Sequence, residues 1–311
     1  MIKIIIAGIG GVGGYFGGLL AKYYYQNENV IVDFFARGKH LEEIQKNGLK
    51  VIQGKNEFIA IPNIATDNPK EMGIADLIII CTKSYDIETV IQQLRPCINK
   101  ETVILPLLNG LDSKEKIKRV FPNNIVLEGC VYIVSRLKQF GVVENSGNIQ
   151  ELYFGLDNFP RDKLQLFENI FRKANIEATY SDSISKIIWE KFIFLSPTAT
   201  VTTYYDKCIG EILEDKESFE TLIGLIDEVK LIAKAKQIIV SDDIADQALR
   251  ILKTLPFETT SSMHSDFKNK KDKTELKSLT GFVSKEGFKY NIETPNYKRI
   301  NSALKNIRNE Y

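Results

Sequence analysis

Six residues near the start of the chain, Gly8-Ile9-Gly10-Gly11-Val12-Gly13, carry its clearest chemical signal. They follow a short β-branched run over residues 2–7 and open a stretch predicted as helix from residue 14 to about residue 26. Glycine at the first place permits a tight turn, at the third lets backbone approach a pyrophosphate, and at the last lets helix and strand pack closely. The free N–H groups and partial positive charge of the helix N-terminus then favour phosphate. Gly8, Ile9, Gly10, Gly11, Val12 and Gly13 are therefore expected to cradle a dinucleotide. The next strand, residues 30–36, decides which one. A site for NAD usually sets Asp or Glu at the strand tip to hold the ribose 2′-hydroxyl. Here the tip reads Ala36-Arg37-Gly38-Lys39-His40, and Asp33 lies earlier in the strand. Arg37 offers permanently charged, bidentate contact to a 2′-phosphate. The expected cofactor is NADP(H).

The elements that must hold these residues alternate. A short helix over 41–47, apolar strands over 75–81 and 102–108, and a helix over 85–94 follow the first strand–turn–helix–strand unit. Continuous apolar strands between helices predict a parallel sheet covered on both faces. After about residue 160 helical periods dominate, over 161–174, 183–195, 219–236, 241–254, 274–286 and 296–310, and strands nearly vanish. The expected fold is α/β: a Rossmann-type, doubly wound parallel sheet over 1–180, then an all-α substrate and dimerisation domain over 181–311.

Composition narrows the class. The 311 residues are 44% hydrophobic and 26% charged, enough for a real core, and the net charge is +1. No broad field points to nucleic acid or a membrane surface. The four cysteines, Cys81, Cys97, Cys130 and Cys208, are scattered without a C-x-x-C, and the two histidines stand in no ligand spacing, so no metal is expected. Such sparse cysteine fits a reducing compartment, and the cytoplasm is the expected location. No stretch approaches the roughly 18 apolar residues that span a bilayer. The N-terminal apolar run breaks early into glycines, which suits a buried strand rather than a signal segment. The charge run over 268–273 reads as a solvated loop.

Taken in order, the chain resembles the ketopantoate reductase family (2-dehydropantoate 2-reductases) over essentially its whole length. The marks are the glycine turn, Arg37, Cys81-Thr82-Lys83-Ser84, Asn109-Gly110, Trp189-Glu190-Lys191-Phe192, Ser261-Ser262-Met263 with Asp266, Thr274-Glu275 and Thr294-Pro295. The resemblance implies a Rossmann-type domain and a helical domain with the active site in the cleft between them. It implies NADPH as hydride donor, ketopantoate as the 2-oxo acid and pantoate as product, on the route to pantothenate and coenzyme A. A homodimer is compatible with it, although no motif marks an interface.

Reduction of a ketone leaves negative charge on oxygen, and a group must protonate or stabilise it. Lys191 matches the family's catalytic lysine. At helical spacing it shares a face with Ile187, Ile188 and Leu195, so its stem is expected to be packed and desolvated, which lowers a lysine pKa. Glu275 matches the family's acidic position and is expected to anchor cofactor, substrate or Lys191. It also reads as a first-turn acid behind a Thr274 N-cap. By the same resemblance Ser262 is assigned to the substrate carboxylate. Asn109, at a predicted strand end where ligands bind in open α/β sheets, is assigned to cofactor and substrate. Lys83 and Ser135 are assigned to the cofactor. The family pattern breaks four and eight residues after the lysine. Leu195 and Ala199 stand where asparagines hold the substrate, and Lys277 stands two beyond Glu275 where the family has an acid. Ser196, Thr198 or Thr202 is expected to replace the amides, and Pro197 to disturb the helix. The leading reading is ketopantoate reduction. The alternatives are reduction of another 2-oxo or 3-oxo acid, and a non-catalytic NADP(H)-binding regulator, against which the pairing of Lys191 with Glu275 argues.

Overall fold

A computed structural model describes residues 1–308 and divides the chain into two compact units. The first comprises residues 1–108 and 113–184; the second takes residues 185 onward together with Asn109–Asp112. The sequence reading put Asn109 within residues 1–180; here Asn109–Asp112 group with the second unit.

The first unit is built on a five-stranded sheet. Strands β1 (Ile2–Ala7) and β2 (Val30–Phe35) flank helix α1 (Gly11–Tyr23); α2 (Gly38–Asn47) follows. Next come β3 (Leu49–Gln53), β4 (Asn56–Ala60), β5 (Ala65–Thr66), β6 (Leu77–Ile80), α3 (Ile87–Gln93), β7 (Val103–Pro106) and α4 (Ser113–Val120). The sheet order is β5-β2-β1-β6-β7, with every pair parallel. Its residues alternate between two cores: Ile4 and Ile6 of β1 face one, Ile5 and Ala7 the other, which α3 and α4 complete. Each strand is buried on both faces, and this is why the strands read as unbroken apolar runs. The chain switches from one side of β1 to the other between β1 and β6, the crevice where open α/β sheets bind ligands.

A second sheet was not expected from sequence. Strands β8 (Glu128–Gln139) and β9 (Val142–Gly155) form a long antiparallel hairpin; after α5 (Gln165–Lys173), β10 (Glu177–Ser181) completes the order β10-β9-β3-β4. The segment after residue 160 therefore still holds a strand. Helix α1 lies between the two sheets. A β-carbon on Gly14 would come 2.5 Å from Val143 of β9, and one on Gly18 2.6 Å from Val51 of β3. On the other side Gly17 lies against Ile6 and Phe34, and Gly13 against the Gly8 carbonyl and Cys81. Each interior glycine costs a helix about 0.5–1 kcal/mol relative to alanine. The close approach of two sheets, with Tyr15 and Phe16 fully buried between them, offsets it.

The second unit is helical: α6 (Ile184–Tyr205), α7 (Ile209–Glu214), α8 (Lys216–Ala235), α9 (Ile244–Thr254), α10 (Ser262–Lys268), α11 (Thr280–Lys289) and α12 (Pro295–Arg308). Two differences from the sequence reading stand out. Helix α6 runs through Pro197 to Tyr205 rather than ending near residue 195, because burial on both sides of the proline outweighs the lost N–H. Its hydroxyls bond back to main-chain carbonyls, Thr198 to Phe194 and Thr203 to Ala199, both at 2.7 Å. The helix expected from residue 274 begins at Thr280, and residues 274–279 form a turn. The last two residues of the helix expected over 296–310 lie outside the described residues. Among the described residues no helix is long and apolar enough to cross a membrane, and no cluster of side chains is suited to a metal ion.

The packing of α1 sets a test. Gly14→Val pushes a branched side chain into Val143, and overpacking of this kind is expected to lower unfolding free energy by about 1–3 kcal/mol. Urea denaturation measures it, and an unchanged midpoint would mean the second sheet does not press on α1.

Candidate functional site

In the first unit the glycine turn closes over the C-terminal end of β1. Gly8 has φ +93, a left-handed backbone, and a β-carbon there would strike Thr82 at 2.7 Å, so the turn and the loop after β6 sit in direct contact. Gly10 is the N-cap of α1, and a β-carbon on it would meet nothing within 4 Å. The first N–H groups of α1 thus border open space on one side. On the other side the main chain of Ser135 lies so close to Gly11 that no side chain fits there. A register shift between Ile133 and Ser135 bends β8 to make this approach. The hydroxyls of Ser135 and Thr82 are buried without hydrogen-bond partners among the described residues. A helix N-terminus, an uncluttered glycine and two orphaned hydroxyls fit the phosphates of a dinucleotide. Thr82 was named in the sequence only within the Cys81-Thr82-Lys83-Ser84 motif and given no role there; its position directly before Lys83 was the available signal. Lys83 itself is half-buried in that loop.

Arg37 caps α2 just beyond the tip of β2. Its side chain is 70% exposed and its Nη2 lies 3.1 Å from Oδ2 of Asp86. Asp33 has another duty. It is fully buried, accepts hydrogen bonds from Asn63 Nδ2 at 2.9 Å and the Ile64 N–H at 3.1 Å, and lies 3.8 Å from Lys3. Burial pushes its carboxyl pKa up, against the pull of these partners. The tip of β2 itself, residues 34–36, carries no acid, and the nearby Asp86 carboxylate is engaged by Arg37.

In the second unit three of the candidate residues lie near one turn. Lys191, half-buried on α6, reaches Asn109 with its Nζ 3.2 Å from Oδ1. The next residue, Gly110, has φ +104 and packs against Ser278. Ser278 belongs to the turn that Glu275 opens: the Glu275 carbonyl accepts from the N–H groups of Ser278 at 3.1 Å and Leu279 at 3.0 Å. Glu275 is 4% exposed, so its carboxylate is held inside the protein. Lys191, Asn109 and the Glu275 turn thus occupy one neighbourhood. Thr274 caps no helix there, which removes the N-cap reading. Ser262 lies exposed at the first position of α10, where its neighbour Ser261 is the cap, accepting from His264 N–H at 3.0 Å.

Ser196 is corrected. It is fully buried, 2.8 Å from the Tyr297 hydroxyl and 3.4 Å from the Leu279 carbonyl. Its hydroxyl belongs to the helical core rather than to an open wall. Thr202 is equally committed, bonding Thr198 O at 2.7 Å and Ser261 at 3.0 Å. Leu195 and Ala199 pack into the same core.

Comparison with known proteins places the chain in a family. The family model described as "Ketopantoate reductase PanE/ApbA" matches residues 4–158, and that described as "Ketopantoate reductase PanE/ApbA C terminal" matches residues 183–308. The crystal structure of 2-dehydropantoate 2-reductase from Porphyromonas gingivalis W83 is 36% identical, with TM-score 0.84, covering 97% of this chain and 99% of that one. The chain belongs to the ketopantoate reductase family. It is thereby a member of an oxidoreductase family with the Rossmann-like sheet and helical C-terminal region seen above. Within the family, similarity extends to proteins of different standing. "Uncharacterized oxidoreductase YkpB" of Bacillus subtilis (strain 168) is 28% identical, covering 97% of this chain and 98% of its own. A 2-dehydropantoate 2-reductase of Streptococcus pyogenes serotype M6 is 26% identical, at 97% and 96%.

The correction of Ser196 has a measurable consequence. Ser196→Ala removes a buried hydrogen-bond partner of Tyr297 and is expected to lower stability by about 1–3 kcal/mol, with the substrate KM unchanged. A raised KM at unaltered stability would return Ser196 to the substrate site.

Proposed function

We propose that this family member is an NADP(H)-dependent reductase of a 2-oxo acid, with ketopantoate as the first substrate to test. The observation that carries the reading is the Lys191–Asn109 contact beside the buried Glu275 turn. The names of the Porphyromonas and Streptococcus relatives point to the same reaction. Arg37, without a competing acid at the strand tip, supports NADP(H) over NAD(H). Gly8 to Gly13 would hold the pyrophosphate at the start of α1, with Ser135, Thr82 and Lys83 as further partners. Bound there, the nicotinamide supplies the hydride.

The chain's own residues do the rest. Lys191 carries donors that can protonate or stabilise the oxygen that gains charge as the carbonyl is reduced. Asn109 accepts one of its N–H groups, which fixes the direction of the ammonium. Glu275, enclosed and close in sequence to the Ser278 contact with Gly110, would keep that pairing charged and oriented. Ser262, exposed at the start of α10, would take the substrate carboxylate.

Leu195 and Ala199 favour a second reading, the same chemistry on a different oxo acid. A site built on amide hydrogen bonds discriminates through them, and neither side chain can make one. Ser196 and Thr202, committed to the core, do not restore them. Purified protein mixed with NADPH and a panel of 2-oxo and 3-oxo acids separates the two readings. Loss of reduced-nicotinamide absorbance with ketopantoate, reduced about 10²–10⁴-fold in Lys191→Ala, is the expected result. Turnover of another acid alone would select the second reading. Full activity in Lys191→Ala would remove the lysine from the mechanism.

A further inference from the structure

The proposed dinucleotide site rests on two separate pieces of backbone, the glycine turn and the start of α2, and one side chain joins them. His40 lies three residues beyond Arg37, in the first turn of α2. Its Nε2 is 2.7 Å from the carbonyl oxygen of Ile9, inside the glycine turn. Its Nδ1 is 2.9 Å from the main-chain nitrogen of Gly141, in the turn between β8 and β9. A peptide N–H can only donate, so Nδ1 is the acceptor; Nε2 then carries the proton and donates to Ile9. The neutral Nε2–H tautomer satisfies both partners at once. Burial lowers the imidazole pKa, which keeps the ring in that neutral form near pH 7. Gly141, with φ +74, also accepts from the Lys50 N–H at 2.9 Å through its carbonyl, tying the hairpin tip to β3. The same hairpin bears on Gly11 through Ser135.

We propose that His40 is a positioning residue for the dinucleotide: its imidazole sets the glycine turn, where the pyrophosphate would lie, against Arg37, where the 2′-phosphate would lie. This rests on the NADP(H) reading given above. A donor and an acceptor on one rigid ring hold two loops in one register, and a dinucleotide that touches both loops feels any loss of it. The effect is greatest for the ligand that uses both ends, NADP rather than NAD.

Calorimetric titration of NADP⁺ and NAD⁺ into wild type, His40→Gln and His40→Leu, with thermal unfolding recorded alongside, tests this. A glutamine amide offers a donor and an acceptor as neutral imidazole does; leucine offers neither. His40→Leu is expected to weaken NADP⁺ about tenfold or more and to narrow the NADP⁺/NAD⁺ ratio, while His40→Gln stays within about threefold of wild type. The proposal is overturned if the leucine variant binds NADP⁺ like wild type, or if both variants lose affinity equally for both dinucleotides. Wild type that binds neither dinucleotide overturns the cofactor reading itself, and this proposal with it. Should His40→Leu fail to fold, nitrogen NMR of wild type decides, since the chain has only two histidines. The Nε2–H form with resonances that move on adding NADP⁺ is the expected result; the Nδ1–H form, or signals indifferent to NADP⁺, would overturn it.

Discussion

Helix α1 is pressed between two sheets, and the rest of the first unit depends on that constraint. Each sheet demands that one side of the helix carry almost no side chain, which is why glycines recur at positions 13, 14, 17 and 18. Any side chain larger than hydrogen at positions 13 or 14 would strike the Gly8 carbonyl or Val143, so the helix is packed closely on both sides. Its N-terminus is thereby fixed at the end of β1. The partial positive charge of that helix end owes its position to packing many residues away, so the proposed phosphate site would follow from a steric requirement.

A similar economy governs the helical unit. The loop Asn109–Asp112 leaves the sequence of the first unit to pack with the second, and Gly110 makes this feasible by its left-handed turn against Ser278. Asn109 can then meet Lys191 on α6 although 82 residues separate them. Below that contact α6 is held by hydroxyls instead of amides: Ser196 on Tyr297, Thr200 on Thr280 at 2.8 Å, Thr202 on Ser261. These bonds make the lysine-bearing helix rigid, and they leave no amide at positions 195 and 199 to read a substrate. Under the proposed function, an acid reduced here would have to be recognised by other groups, with Ser262 and Asn109 the candidates.

Much of this was legible in the sequence because the strongest patterns are local. The run from Ile2 through Gly13 states a buried strand, a turn and a helix in succession, and Arg37 follows at the tip of the next strand. Lys191 stands in a helical period with apolar neighbours. The second sheet was not legible for an equally physical reason. Its strands are half-exposed and mix charge with apolar residues, as in Lys50, Glu57, Arg136 and Glu144, and the shift at Ile133/Ser135 breaks the two-residue alternation. The misplacement of Thr274 arose from local signals that favour a helix start, whereas tertiary contacts of the 275–279 turn decide the boundary. Pro197 misled in the opposite sense: its local effect is real, but the packed core around α6 outweighs it.

We propose that this fold presents a site for a dinucleotide carrying a 2′-phosphate, read by Arg37. The most direct measurement is the ratio of kcat/KM with NADPH to that with NADH, using whichever oxo acid turns over, in wild type and in Arg37→Asp. The expected result is a wild-type preference for NADPH that falls by about ten- to a hundredfold in the variant, as loss of a charge-assisted contact implies. A wild-type preference for NADH, or a ratio indifferent to the substitution, would contradict it.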